Sequence, residues 1–144
     1  MFRSTLLLLA LTLATTAAAP RLKDPPAPAT ADGRWTVERY EHDGQVRDAA
    51  TMTGYVMVHT KTASTLELNG RVIGTERVSY SDAGGVHRMD FTSDQWAGVK
   101  RGIWKMEGDT LTECEAAMDG DRPTDFTAPK GSGRSLWVLR RVRE

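Results

Sequence analysis

The sequence predicts an all-β domain, a small antiparallel β-barrel of about eight strands behind an N-terminal signal peptide. Three observations carry that prediction. Beyond the first 32 residues, apolar side chains alternate in short runs with the two-residue period of a half-buried strand. Between the runs sit "HDG", "LNG", "DAGG", "EGD" and "DGDRP", whose glycine, asparagine and aspartate supply the positive φ angles or side-chain hydrogen bonds of tight turns. No stretch after residue 20 sustains the i, i+3, i+4, i+7 pattern of an amphipathic helix. A meander of this strand count leaves two unpaired edges, and closing into a barrel removes them.

The N-terminus sets the compartment. Met1-Phe2-Arg3 brings one positive charge, "STLLLLALTLATT" an apolar run and "AAA" the small residues a signal peptidase accepts. Residues 1–18 therefore read as a signal peptide, cut after Ala17 or Ala18, because Pro20 sits badly just beyond a cut at Ala19. No cysteine follows the apolar run to take a lipid, and no membrane span remains after cleavage. The expectation is an exported protein, periplasmic or secreted. Residues 19–32, rich in proline and alanine, offer almost nothing to bury and read as an extended linker. Residues 33–144 are then one domain, enough chain for a single core.

Within that domain the expected strands are "RWTVERY", "GYVMVHT", "STLELNG", "RVIGTERVSY", "VHRMDF", "GIWKMEG", "DTLTECEAA" and "SLWVLRRV", with one short helical turn near "RDAATM". The alternation places Tyr55 with Met57, Trp104 with Met106, and Trp137 with Leu139 on shared strand faces. If those faces point inward, Tyr55, Met57, Trp104, Met106 and Trp137 line a ligand cavity, or equally a solid core. Trp35 fits a floor position, with a late arginine such as Arg140 or Arg141 over its ring.

Composition narrows the function. The 19 basic and 19 acidic residues balance, and loss of Arg3 with the leader leaves one acidic residue in excess. That balance argues against nucleic acid, which needs a clustered positive surface. Cys114 is the one cysteine, so no internal disulfide forms, and its place in "TLTECEAA" suggests a buried small apolar side chain. His42, His59 and His87 are far apart and show no preassembled zinc spacing. Ser132 lies in a turn without the strand and helix of a nucleophile elbow. No motif implies a cofactor, a metal or a catalytic residue. Glu113 and Glu115 share a strand face about 7 Å apart, which suits acid–base chemistry if one is buried, or a plain solvated face.

The stretch "MDGDRPTDFTAPKGSG", residues 118–133, is the densest acidic run. Counted from Asp119, a calcium loop fails at its fifth, sixth and twelfth positions, which are Pro123, Thr124 and Lys130. It reads instead as a strand connection, with Phe126 covering a barrel end and the glycines of "GSG" releasing the chain into its last strand.

Two sets of residues carry a resemblance. "DGRWTVERYEHDGQ" resembles the opening G-x-W strand of lipocalin-like proteins, with Gly33 and Trp35 in the matching places. "RGIWKMEGDTLTEC" followed by "GDRPTDFTAPKGSGRSLWVLRRV" is similar to an uncharacterised extracytoplasmic domain family abundant in planctomycete bacteria. The match spans about residues 33 to 142 through Gly33, Trp35, Gly102, Ile103, Trp104, the "GDTL" turn, Cys114, Arg122, Pro123, Thr124, Phe126, Gly131 and Gly133. The resemblance implies a small lipocalin-like barrel in which these positions are structural, and it implies no reaction. One departure matters: that pattern favours apolar residues where this chain has Glu113 and Glu115, so either the interior is acidic here or the register differs. The expected function is a non-catalytic binding or interaction module for a small apolar ligand or an envelope protein. The alternatives are a carboxylate-based hydrolase and a filled structural barrel of the cell envelope.

Overall fold

The computed structural model describes residues 29–143, so the expected signal peptide and the first ten residues of the linker lie outside the described residues. Nine strands follow in order: β1 (Gly33–His42), β2 (Gln45–Asp48), β3 (Tyr55–His59), β4 (Ala63–Leu68), β5 (Arg71–Ala83), β6 (Val86–Thr92), β7 (Lys100–Glu107), β8 (Thr110–Glu115) and β9 (Ser135–Arg141). Each pairs antiparallel with its neighbour along β1-β3-β4-β5-β6-β7-β8-β9, and β9 returns to β1. This is a closed eight-stranded barrel of lipocalin-like form, with β2 added at the far end of β1. β2 escaped the sequence reading because "QVRD" is exposed at every position and has no apolar alternation to mark it. No helix forms among the described residues. The expected helical turn at "RDAATM" is a set of hydrogen-bonded turns, with Met52 N–H donating to the Asp48 carbonyl and Thr51 N–H to the Asp48 carboxylate.

Ladder pairs carry the alternation around the barrel: Val37 faces Leu139, Leu139 faces Leu111, and Val78 faces Phe91. Trp35, Met57, Met89, Phe91, Trp104, Leu111 and Leu139 form the buried interior. In β1 the register shifts between Val37 and Arg39, leaving Glu38 extra, so Tyr40 comes to lie against the Trp137 ring at 4.1 Å. At Gly102 the interior is tight, since a Cβ there would lie 3.1 Å from Met89 Cγ and its neighbours would have to shift by a few tenths of an ångström.

One end of the barrel is sealed. Trp35 is buried with the Arg141 guanidinium 4.2 Å from its ring, as the sequence suggested for that arginine, while Arg140 pairs with Glu38 instead. The indole N–H donates to the Ala31 carbonyl at 3.1 Å, and Arg141 donates to the Asp32 carbonyl. Ala31 is itself fully buried in the core, so the folded part takes in residues that composition assigned to the linker.

The acidic stretch is a connector. Ile103, Cys114, Ala128 and Leu136 make a second cluster on the outward faces of β7, β8 and β9, and Phe126 packs against it. Phe126 therefore covers the barrel wall rather than a barrel end, because the connection folds back along the strands it joins. Arg122 pins it there, donating to the Gly102 carbonyl at 2.6 Å and pairing with Asp90 at 2.7 Å. Asp119 adopts a φ of 57° and accepts from Val99 N–H, and Gly133 N–H donates to Asp43 at 2.8 Å. Cys114 is wholly buried beneath this cover, and burial pushes its thiol up to about 11 against the pull of Arg134. A thiol held so far from ionisation is a packing group.

Candidate functional site

The face of β8 that carries Leu111 also carries Glu113 and Glu115, and all three are buried. Glu113 and Glu115 therefore face the interior, one of the two outcomes the sequence left open. Two polar groups result, one deep and one at the mouth.

In the deep group His59 ends β3 on the face that holds Tyr55 and Met57, and its Nε2 lies 2.7 Å from Glu113 Oε1. Both side chains are 0% exposed. The contact is short but off-line, for neither His59 nitrogen makes an aligned hydrogen bond. Burial opposes charge on the imidazole, yet the carboxylate of Glu113, reinforced by Glu115 and Asp32, outweighs it and leaves the His59 pKa raised. Tyr80 belongs to the same neighbourhood: burial first, then the charges of Glu113 and Asp32, hold its phenol well above its usual value. Trp104 is Glu113's partner across the β7–β8 ladder, and its ring stacks on His87 at 4.6 Å.

At the mouth Lys100, the first residue of β7, places its ammonium 2.9 Å from Glu76 and 3.1 Å from Glu115. The rings of Phe91 and Trp96 lie 5.2 and 5.8 Å from the same nitrogen. Burial pulls the Lys100 pKa down, but the two carboxylates win and raise it to about 12, so this lysine is a fixed cation and not a nucleophile. Burial also raises the Glu115 pKa, with Lys100 opposing. Beside these groups a cleft of about 140 Å³ opens between Met57, Ser64, Leu66, Gly74, Glu76, Lys100, Glu115 and Trp137. Its walls come from β3, β4, β5, β7, β8 and β9, so closure of the barrel is what assembles it.

Comparison with protein families, with curated proteins and with solved structures returned no match.

Of the five residues expected to line a cavity, Met57 and Trp137 do line the cleft. Tyr55 is half-buried against the core, Trp104 is buried deeper, and Met106 lies 37% exposed near the sealed end, with its sulfur 3.5 Å from Arg141 Nη2. The three histidines stay apart: His42 meets Ser135, His87 meets Asp82, and His59 meets Glu113. Among the described residues no three metal-ligating side chains converge. No helix among them is long and apolar enough to cross a membrane. Sequence reasoning missed His59, Glu76 and Lys100. The signal for His59 was present, since it continues the Tyr55–Met57 alternation by one step. Lys100 lies two residues before Gly102 on the same face, but a lysine at a strand start ordinarily reads as solvated.

Proposed function

We propose that the barrel is a binding module of an exported protein, related to the planctomycete extracytoplasmic domains, and that it holds a small, largely apolar ligand in its mouth. The observation that carries this reading is the 140 Å³ cleft walled by Met57, Leu66 and Trp137. Its size approaches that of an engineered apolar cavity of about 150 Å³ that takes up benzene. Eight-stranded barrels are wide enough for one small ligand. Export and kinship rest on the leader and on the "GDTL", "RPT" and "GSG" matches. Native mass spectrometry of the protein drawn gently from its own source, against its denatured mass, tests the reading. A reproducible added mass lost on denaturation is the expected result. A bare mass, with no chemical-shift change at Met57 or Trp137 on addition of small aromatic compounds, would replace it with a filled structural barrel.

A second reading, acid–base hydrolysis, has one observation in its favour: Glu115 lines the cleft with its pKa raised by burial. Glu113 is locked against His59, and the second carboxylate of the cleft, Glu76, is paired with Lys100, so neither stands free as a partner for Glu115. Hydrolysis of a small ester or glycoside that E115Q abolishes while ligand binding persists would establish it.

A further inference from the structure

The Lys100 ammonium shows what this mouth is built to surround. Two carboxylates contact it, at 2.9 and 3.1 Å, and two aromatic faces lie within 6 Å of it. These are the partners that stabilise an alkylammonium in a partly dry site. Among the residues lining the cleft only Glu76, Lys100 and Glu115 ionise, and the others are Met57, Ser64, Leu66, Gly74 and Trp137. Fully ionised, the lining carries two negative charges against one positive. The deep Glu113 lies against His59 and outside the lining of the cleft. Burial raises the pKa of Glu115 even with the Lys100 ammonium 3.1 Å away. The remaining wall is apolar and includes an indole, the strongest ring for a cation.

We propose that the cleft selects small organic ammonium ions, an amine with a short apolar body; this rests on reading the cleft as a ligand site. The amine's charge approaches Glu76 and Glu115 beside Lys100, and its body packs on Met57, Leu66 and Trp137. A neutral alcohol of the same shape loses the charge contacts, and a carboxylate of the same shape meets repulsion.

The test titrates the purified protein with benzylamine, benzyl alcohol and benzoate at pH 7, following heat and the chemical shifts of Met57 and Trp137. Benzylamine should bind about tenfold tighter than benzyl alcohol, the ratio that one added charge contact of roughly 1.4 kcal/mol produces, and benzoate should bind least. E76Q should bring the ratio of benzylamine to benzyl alcohol affinity down toward one. Equal affinity of the amine and the alcohol would overturn the ammonium preference and keep the cleft as a ligand site. No binding by any of the three would overturn both. A second variant guards against misfolding of the first: Lys100→Ala removes the resident ammonium, and n-butylamine should then restore the melting temperature more than n-butanol does. The same effect from both compounds would also overturn the preference.

Discussion

The deep and outer halves of the barrel interior each place a basic side chain against glutamate, and they differ in what surrounds it. His59 and Glu113 lie with no exposure behind Trp35, Arg141 and the buried Ala31. Lys100, Glu76 and Glu115 sit where the wall opens into a cleft. The same pairing is therefore closed off at one end and reached by a cleft at the other. What separates the two is access: a charge that only its partner can reach fixes the arrangement of a core, whereas a charge that a cleft reaches can also meet a ligand.

The largest effect should come from opening the sealed end. Trp35→Ala removes the side chain on which Arg141 and Ala31 close, and a loss of about 3 to 5 kcal/mol in urea denaturation is expected. A parental denaturation curve would show that the floor does not hold the barrel.

Next comes the deep pair itself. Glu113→Gln leaves His59 buried beside a neutral amide, and a cost of about 3 kcal/mol is expected. Replacing both residues by leucine should recover most of it, because an apolar pair leaves no charge in the dry interior. A double variant no more stable than Glu113→Gln would mean that the pair also organises its neighbours.

The pH dependence sharpens the same point. The folded pKa of His59 is raised, so folding takes up a proton there. Its contribution is full below the ordinary imidazole value of about 6.5 and is lost as pH rises through the folded value. Thermal melts across neutral to mildly alkaline pH should show stability falling in that window. The fall should vanish in the His59 and Glu113 double-leucine variant, and its persistence there would assign the window to another group.

At the mouth the effects should shrink. Glu115→Gln leaves Lys100 paired with Glu76 at 2.9 Å, so a cost of about 1 kcal/mol is expected from the same denaturation curves. A cost equal to that of Glu113→Gln would erase the contrast between the two halves. Smallest of all, Asp121→Ala alters an exposed residue of the connector, and a change within about 0.5 kcal/mol is expected. A larger drop in melting temperature would give that loop a binding or stabilising role that its exposure does not suggest.

Much of the fold was legible along the chain. The eight barrel strands, their turns and the pairing of Trp35 with a late arginine follow from alternation, turn chemistry and one opening motif. Strand β2 was not legible, because four exposed residues carry no period. Nor was the path of residues 116–134: Phe126 reads as a cap, and the outward cluster that receives it combines residues from three strands with the connector itself. In the cleft, Met57 and Trp137 were legible as inward faces, while Glu76 and Lys100 read as solvated charges until a barrel wall closed around them.

The sequence by itself determined the β architecture, the turns, the buried cysteine and the mismatch between the acidic run and the spacing of a calcium loop. Local period and turn chemistry act within a few residues, so one chain displays them. Only the tertiary structure decided that Glu113 and Glu115 face inward, that His59 meets the first and Lys100 the second, and that a cleft opens beside Lys100. These contacts join strands up to 54 residues apart, as His59 and Glu113 are. Their chemistry depends on burial, which no single strand possesses before the barrel closes.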